Sequence, residues 1–210
     1  MRLGDDGPSR APVDNPARTA EHRERLAQRR ETLQAVFEKI LPPGKASFVW
    51  EAGCGHGHFL TAYAEAHPER ICVGVDLVRE RIARAIRKRD RARLANLHFL
   101  QAEARMFLEE LPARATLSAV YVLFSDPWPK QRHHKHRLLQ PDFLTAVAAR
   151  AEKGARLYFR TDHEPYFIEA EAKVRDHPDW RLSEEPWPFE TVTVFQQRAS
   201  SHRSLVALRT

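Results

Sequence analysis

Short apolar segments alternate with amphipathic helical patterns through most of this sequence, and few folds accommodate such an order. We predict strands at 48–52, 71–75, 98–100, 119–124 and 156–160. The fourth segment is almost entirely apolar, as is typical of a strand that is buried on both faces. Strands that alternate with helices pair in parallel and are covered on both sides. The sequence therefore predicts an α/β fold with a doubly wound, mostly parallel sheet.

The two ends of the chain depart from this alternation. Residues 1–18 are rich in Pro, Gly, Asp and Arg and have no apolar periodicity, which predicts a flexible N-terminal tail. A helical pattern over 19–40 then opens what we expect to be a single domain, 19–210. Alternating segments at 191–197 and 204–208 predict an antiparallel edge hairpin, which would complete a seven-stranded, Rossmann-like sheet.

Composition excludes several classes of protein. The sequence has no run of about 20 apolar residues and no apolar secretion signal, so we expect no membrane segment and a cytoplasmic location. Two cysteines, Cys54 and Cys72, are too few for a disulfide framework or a four-thiolate zinc site. The net charge of +6 favours a polyanionic partner, although solvated surface charge gives the same balance. Both a monomer and a homodimer remain open.

A glycine-rich loop follows the first predicted strand, and it begins with Glu51 and carries Gly53, Gly55 and Gly57. Ligands of open α/β sheets bind at the carboxyl ends of strands, and glycines let the backbone approach them closely. The dinucleotide fingerprint G-x-G-x-x-G requires glycine where this chain has His58. The pattern E-x-G-x-G-x-G instead resembles motif I of class I S-adenosylmethionine-dependent methyltransferases. That cofactor is cationic and lacks a pyrophosphate, which suits a carboxylate at the loop entrance.

Acidic residues follow the next three predicted strands as well. Asp76 ends the second strand, where a carboxylate accepts hydrogen bonds from both ribose hydroxyls. The resemblance implies that Glu103 lies near the adenine amine and that Asp126 lies between cofactor and substrate. Each of these carboxylates alone is also consistent with a helix N-cap or a solvated loop. Their occurrence at successive strand ends beside the glycine loop favours a site for S-adenosylmethionine.

The segment after the fourth predicted strand is the most specific motif in the chain. It reads Asp126-Pro-Trp128-Pro-Lys130, in which two prolines stiffen the loop and Trp128 offers a flat surface to a base. The eight positions 130–137 contain four Lys/Arg and three His, a composition suited to phosphates. With Arg-Thr-Asp-x-x-x-Tyr at 160–166, these elements resemble the bacterial tRNA (guanine-N7-)-methyltransferase family over roughly 48–198.

The resemblance implies methyl transfer from S-adenosylmethionine to N7 of a guanine in the tRNA variable loop. Guanine N7 carries an in-plane lone pair, so the reaction requires alignment rather than a strong base. A carboxylate at the guanine edge would select this base and offset the positive charge that develops, and Asp162 is our first candidate. The resemblance implies catalytic roles for Asp126 and Asp162, a substrate site at Lys130, Asp162, Thr193 and Gln196, and RNA contacts by Arg132, His133, His134, Lys135 and Arg137.

One position departs from the family pattern in charge. The family motif Thr-x-Tyr/Phe-Glu corresponds here to Thr193-Val-Phe-Gln196, and an amide cannot offset a cation as a carboxylate does. Gln196 is also consistent with a polar residue on an edge strand. Two alternatives therefore stay open: a methyltransferase of this fold that acts on another RNA or a small substrate, and an RNA-binding homologue with impaired catalysis.

Two further patterns are most simply interpreted as solvated surface residues. The histidines of 133–136 lack an acidic or thiolate companion and lie among cations, so we predict no metal site. A second basic stretch, 79–93, contains eight Lys/Arg in fifteen residues. Its outer face is consistent with contact to the tRNA body, but a solvated surface is the simpler interpretation.

Overall fold

A seven-stranded sheet organises the residues that the computed structural model describes, 16–191 and 201–210. Its strand order is β3-β2-β1-β4-β5-β7-β6, in which β1 to β5 pair in parallel and β7 pairs antiparallel with both β5 and β6. The strands are β1 Ala46–Ala52, β2 Ile71–Asp76, β3 Leu97–Gln101, β4 Ala115–Leu123, β5 Ala151–Thr161, β6 Trp180–Ser183 and β7 Arg203–Arg209.

Helices occupy the connections between the strands. They are α1 Pro16–Ile40, α2 His58–Ala66, α3 Arg79–Ala92, α4 Ala104–Glu110, α5 Pro141–Ala148 and α6 Glu164–Arg175, with a short 3-10 helix at Gln131–His136. Among the described residues, none of the helices combines the length and hydropathy of a transmembrane segment.

Apolar side chains cover both faces of the sheet. On one face the rings of Trp50 and Phe107 stack with centroids 5.1 Å apart, in a core that α1, α4, α5 and α6 close. On the other face Phe59 packs against Tyr121 at 4.6 Å, in a core that α2 and α3 close. Burial on both faces explains the nearly continuous apolar runs of the central strands. The predicted doubly wound α/β fold is confirmed.

Some element boundaries differ from the sequence prediction. β4 and β5 begin at Ala115 and Ala151, several residues before the apolar runs that predicted them, because their first residues mix buried with partly exposed positions and form no continuous apolar run. The first helix begins at Pro16 rather than at residue 19, and proline fits the first turn of a helix. The remainder of the predicted tail, 1–15, lies outside the described residues.

The edge hairpin is confirmed, but its first strand is not the predicted one. β7 pairs with β6 at Trp180–Ser183, whereas we expected a strand at 191–197. Thr191 belongs to no strand, and 192–200 lie outside the described residues. Trp180 anchors β6 in the core, where its indole N–H donates to Leu144 O at 3.0 Å. The residues of β6 alternate apolar and polar side chains, but four residues are too few for this pattern to be distinctive.

Candidate cofactor and substrate site

The carboxyl ends of the parallel strands open into one cleft of about 390 Å³, a size typical of small-molecule sites. Six of the predicted site residues line it, namely Glu51, Gly53, Gly55, Asp76, Glu103 and Asp126. They come from the ends of four different strands, β1, β2, β3 and β4. Parallel pairing thus brings together carboxylates that are far apart in the sequence.

The glycine loop is fixed to the end of β2 by backbone hydrogen bonds. Gly53 N and Cys54 N both donate to Val75 O at 2.9 Å, and Gly55 N donates to Asp76 Oδ2 at 3.0 Å. Gly53 has a φ of +77°, and a Cβ placed on it would meet no heavy atom within 4 Å. The loop therefore leaves free space on the cleft side, where a ligand can approach the backbone.

Gly57 has a packing role that the sequence did not predict. It does not line the cleft but lies behind the loop at the start of α2. A Cβ at Gly57 would lie 2.5 Å from Phe99 Cζ and 2.9 Å from Ala85 Cβ. Its φ of +67° is also in the left-handed region. Gly57 thus permits close packing of α2 against β3 and α3, and its part in cofactor binding stays a prediction.

Alanine substitutions at Gly57 and Gly53 should affect different properties, the stability of the fold and the binding of the ligand. We expect Gly57→Ala to lower the free energy of unfolding by about 2–3 kcal/mol, through left-handed strain and overpacking. Gly53→Ala should cost only about 1 kcal/mol from strain but should fill space in the cleft. Urea unfolding and cofactor titration measure both effects. Equal loss of stability in the two variants would contradict the packing role of Gly57.

Glu51 is the most unusual ionisable group in the cleft. Its side chain is 3 % exposed, and Oε2 is buried without a hydrogen-bond partner among the described residues. Trp50 Nε1 is likewise buried without a partner there, but it lies among stacked rings in the core. Burial, reinforced by the charge of Asp76, raises the pKa of Glu51 to about 8. A cationic ligand would supply the missing partner, so Glu51 fits the cofactor that the sequence predicts.

The carboxylates of Asp76 and Glu103 already accept hydrogen bonds from the protein. Asp76 Oδ1 accepts from Val78 N at 2.8 Å, and Oδ2 accepts from the glycine loop. Glu103 caps α4, where Oε2 accepts from Met106 N at 2.9 Å. A carboxylate accepts about four hydrogen bonds, so both groups retain capacity toward the cleft that they line. The N-cap role of Glu103 therefore accompanies its predicted role in binding the cofactor.

The loop after β4 forms one wall of the cleft. Phe124 and Trp128 both have left-handed backbones, with φ of +50° and +44°, a conformation that costs non-glycine residues free energy. Trp128 is 37 % exposed and packs against His136 with ring centroids 5.2 Å apart. Asp126, also exposed, lies between the two strained residues and lines the cleft. An aromatic surface and a carboxylate thus share the rim of the cleft.

Arg137, for which we expected an RNA contact, is buried in this structure. Its side chain is 1 % exposed and donates to Pro127 O at 2.7 Å and to the Glu169 carboxylate. The guanidinium also lies 3.0 Å from His134 Nε2 and stacks over the ring of Tyr166 at 5.0 Å. These contacts join the loop after β4 to the 3-10 helix and α6. The sequence failed to show this because buried and exposed arginines look alike in a basic run.

The other residues that we predicted to contact the substrate do not line the cleft or lie outside the described residues. Lys130 is exposed and immediately precedes the 3-10 helix, and Asp162 is exposed and directly follows β5. In the basic run, Arg132 and Lys135 are exposed, whereas His133 and His134 are half-buried. Thr193 and Gln196 lie beyond the described residues.

Several cleft residues and one anchor escaped the sequence analysis. His56, Arg81, His136 and Leu138 line the cleft, although they lay within segments that the sequence analysis had singled out. Arg160 in β5 is buried, donates to Glu190 at 2.7 and 2.8 Å and to Ser204 Oγ at 2.8 Å, and stacks over Trp187 at 4.0 Å. An arginine inside an apolar strand was the available signal. Residues 16–191 and 201–210 contain no cluster of three or more metal-ligating side chains.

The chain is similar to known methyltransferases by sequence. The family model described as "Putative methyltransferase" matches residues 45–206. The tRNA (guanine-N(7)-)-methyltransferase of Synechococcus sp. (strain JA-2-3B'a(2-13)) is 32 % identical over 165 residues, 74 % of this chain and 69 % of the relative. The enzyme of Nitrosomonas europaea is 31 % identical over 134 residues, which is 64 % of this chain and 58 % of the relative. The enzyme of Nocardia farcinica is 38 % identical over 122 residues, which is 58 % of this chain and 45 % of the relative. The matches thus span about half to two thirds of these relatives.

Solved structures resemble the fold. TrmN from Thermus thermophilus superposes with a TM-score of 0.57 at 18 % identity, over 85 % of this chain and 48 % of that chain. The aminoglycoside resistance methyltransferase NpmB1 has the same TM-score at 17 % identity, over 85 % of this chain and 93 % of that chain. At such identities the likeness concerns the class I methyltransferase fold alone. Because the family model spans most of the chain and the Synechococcus relative matches over 69 % of its own length, this chain belongs to the tRNA (guanine-N7-)-methyltransferase family.

Proposed function

We propose that this protein transfers a methyl group from S-adenosylmethionine to N7 of a guanine in the variable loop of tRNA, in the cytoplasm. The observation that carries the proposal is the buried, unpartnered carboxylate oxygen of Glu51 beside the glycine loop. This oxygen lacks a hydrogen-bond partner among the described residues, and a cationic ligand would supply one. The cleft around it also presents an aromatic surface and a carboxylate, Trp128 and Asp126. The names of the sequence relatives support the same reaction.

The residues present in the cleft fit S-adenosylmethionine. This cofactor supplies an electrophilic methyl group on a positively charged sulfur. Glu51 would balance its positive charge, Asp76 would accept from the ribose hydroxyls, and Glu103 would accept from the adenine amine. The open space at Gly53 lets the loop backbone approach the cofactor closely.

The residues at the rim of the cleft would receive the base. Trp128 offers a flat face for stacking, since its ring is partly exposed at the cleft edge. The N7 lone pair needs no base to remove a proton, so the main contribution of the protein is alignment of the two reactants. Positive charge appears on the purine during transfer, and the carboxylates of Asp126 and Asp162 would offset it. The exposed position of Asp162 leaves it accessible to a bound nucleotide.

One assay tests the proposal against both alternatives. The protein is incubated with labelled S-adenosylmethionine and with tRNA transcripts that have or lack a guanine in the variable loop, and the modified base is mapped. We expect label at N7 of that guanine only. Label on another base, on another RNA or on a small substrate would support a different methyltransferase. Binding of tRNA without any label would support the RNA-binding homologue that the Gln196 substitution leaves open.

Asp162→Ala should lower kcat by about 10- to 100-fold, since it removes a charge that would offset the developing cation. S-adenosylmethionine affinity should not change, because Asp162 does not line the cleft. Asp176→Ala is the matched control, an exposed aspartate at the far end of α6. Unchanged kcat in Asp162→Ala would reject the assignment, and a parallel Gln196→Glu variant would then show whether that position can supply the charge.

A further inference from the structure

A basic face on α3 borders the cleft. Arg81, Arg84, Lys88 and Arg91 recur at intervals of three and four residues, so they share one side of the helix. This side lies next to the one that Ala85 turns into the core. Arg81 lines the cleft, and at 1.5 Å per residue the face extends about 15 Å to Arg91. The face therefore begins at the proposed active site and leads away from it.

Two histidines of the neighbouring segment adjoin this face. Lys88 Nζ donates to His56 O at 3.0 Å, which joins α3 to the glycine loop. Burial, and then the charges of Arg84, Arg81 and Lys88, lower the pKa of His56. The ring of His58 lies 6.4 Å from that of His56, and burial and Lys88 lower its pKa as well. The arginines, the lysine and the histidines thus form one continuous polar surface.

Three of the four cations on this surface form no ion pair among the described residues. Among residues 16–191 and 201–210, ion pairs of α3 involve only Arg81, 3.6 Å from Asp76, and Arg89, 2.6 Å from Asp90. Arg84, Lys88 and Arg91 form none. Elsewhere in the same ranges, arginines such as Arg105 pair closely with carboxylates. The unbalanced charge favours an anionic ligand over simple solvation, because neighbouring cations repel one another until such a ligand binds.

We propose that this face of α3, together with His56 and His58, binds backbone phosphates of the tRNA substrate; the inference rests on the proposed function. A nucleotide whose base enters the cleft brings with it a strand that continues past the rim. The face of about 15 Å is long enough to meet more than one phosphate of that strand.

The position of α3 in the fold favours RNA as the occupant. The 3-10 helix follows β4 and α3 follows β2, and these strands flank β1 in the sheet. Adjacent strands lie about 4.8 Å apart, so basic segments border the cleft on two sides within about 10 Å at the sheet. The carboxylates lie between them, at the cofactor position. A polyanionic strand across the cleft would meet positive charge on both sides.

The test neutralises the two most exposed arginines of the face in the double variant Arg84→Gln/Arg91→Gln. Its matched control, Lys153→Gln/Arg181→Gln, removes the same charge from exposed positions of β5 and β6. Dissociation constants for tRNA are measured between about 50 and 200 mM salt. We expect the double variant to bind tRNA at least about tenfold more weakly than the control at low salt, with a salt slope smaller by about 1.4–1.8. S-adenosylmethionine affinity should equal that of the parent.

Equal tRNA affinity and salt slope in the two double variants would overturn the inference. Direct binding of a polyglutamate peptide tests the other occupant, an acidic protein partner. If the double variant loses peptide affinity while the two double variants bind tRNA equally, that result would also overturn the inference. The measurement is binding rather than methyl transfer, so a parent that binds tRNA without methylating it would reject the proposed function and leave this surface testable. If the parent is active, the double variant should raise KM for tRNA and keep kcat.

Discussion

Replacing Arg137 with alanine should lower the free energy of unfolding by about 2–4 kcal/mol, because it removes a buried guanidinium together with its hydrogen bonds to Pro127 and Glu169. The same change should reduce methyl transfer at least about 100-fold, since misplaced reactive groups cost this much. The guanidinium contacts three parts of the site wall at once: the carbonyl of Pro127, His134 in the 3-10 helix and Glu169 in α6. Asp126 and Trp128 adjoin Pro127 in the sequence, so their positions depend on the contact between Pro127 and Arg137.

Arg137→Lys separates positioning from stability. Lysine keeps the charge opposite Glu169, but it lacks the planar fork that reaches Pro127 and His134 together. We expect this variant to recover most of the stability while kcat stays low and the KM for S-adenosylmethionine changes little. Arg105→Ala is the matched control, because Arg105 holds Asp142 through two hydrogen bonds at a solvent-exposed site. That pair should contribute only about 0–1 kcal/mol.

The measurements are urea unfolding and steady-state kinetics with tRNA. If Arg137→Lys restored kcat together with stability, Arg137 would be a structural residue without a positioning role. If Arg137→Ala and Arg105→Ala lost equal stability, burial of the guanidinium would not matter to its contribution.

Glu51→Gln should weaken S-adenosylmethionine binding by about 10- to 100-fold at pH 7.5, because a charge-assisted contact contributes about 1.5–3 kcal/mol. In the free protein, burial and then the charge of Asp76 hold the pKa of Glu51 at about 8, so the carboxyl is largely protonated at neutral pH. The backbone of Leu60 and the charge of Lys88 act in the opposite direction. Binding of a cation favours the ionised form and releases a proton.

The affinity of the parent for S-adenosylmethionine should therefore rise with pH, by up to about tenfold per unit. The range from pH 6 to 7.5 is the informative one, since the amino group of the cofactor loses its proton near pH 8. Calorimetry in buffers of different ionisation enthalpy measures the released proton directly. Glu51→Gln should abolish both the pH dependence and the proton release, and Glu65→Gln, on the exposed side of α2, should keep both.

The raised pKa of Glu51 also affects stability, with a definite sign. The folded protein retains a proton that the unfolded chain releases above its ordinary pKa of 4.5. The free energy of unfolding of the parent should thus decrease, relative to Glu51→Gln, as pH rises from 4.5 to about 8. A parent with a pH-independent affinity and no proton release would show that Glu51 is already ionised in the free protein.

The sequence was sufficient for the fold class and for the four acidic residues and two glycines that it placed in the cleft. Both depend on local patterns: apolar periodicity defines the strands, and parallel pairing places their carboxyl ends at one edge. Glu51, Asp76 and Asp126 were predictable on this basis because each directly follows an apolar run.

The features that the sequence did not predict depend on contacts between segments that are distant in the chain. Nothing near Arg137 in the sequence distinguishes it from Arg132, yet one is buried against α6 and the other is exposed. Gly53 and Gly57 occupy equivalent positions in the motif, but only Gly57 has Phe99 and Ala85 behind it. The partner of β7 was mispredicted for the same reason, since β6 pairs with β7 while Trp180 of β6 is also held by a hydrogen bond to α5, and both contacts join distant segments.

The insertion of β7 between β5 and β6 has a consequence for synthesis of the chain. β7 pairs with Arg156–Thr161 of β5 and carries β6 on its other side, yet it follows the end of β5 by about 40 residues. At translation rates of about 5–20 residues per second, the edge of β5 stays unpaired for about 2–8 s before β7 is synthesised. During this interval β6 also has no strand to join. Unpaired edges recruit foreign strands, so the nascent chain exposes an aggregation-prone edge until β7 emerges from the ribosome.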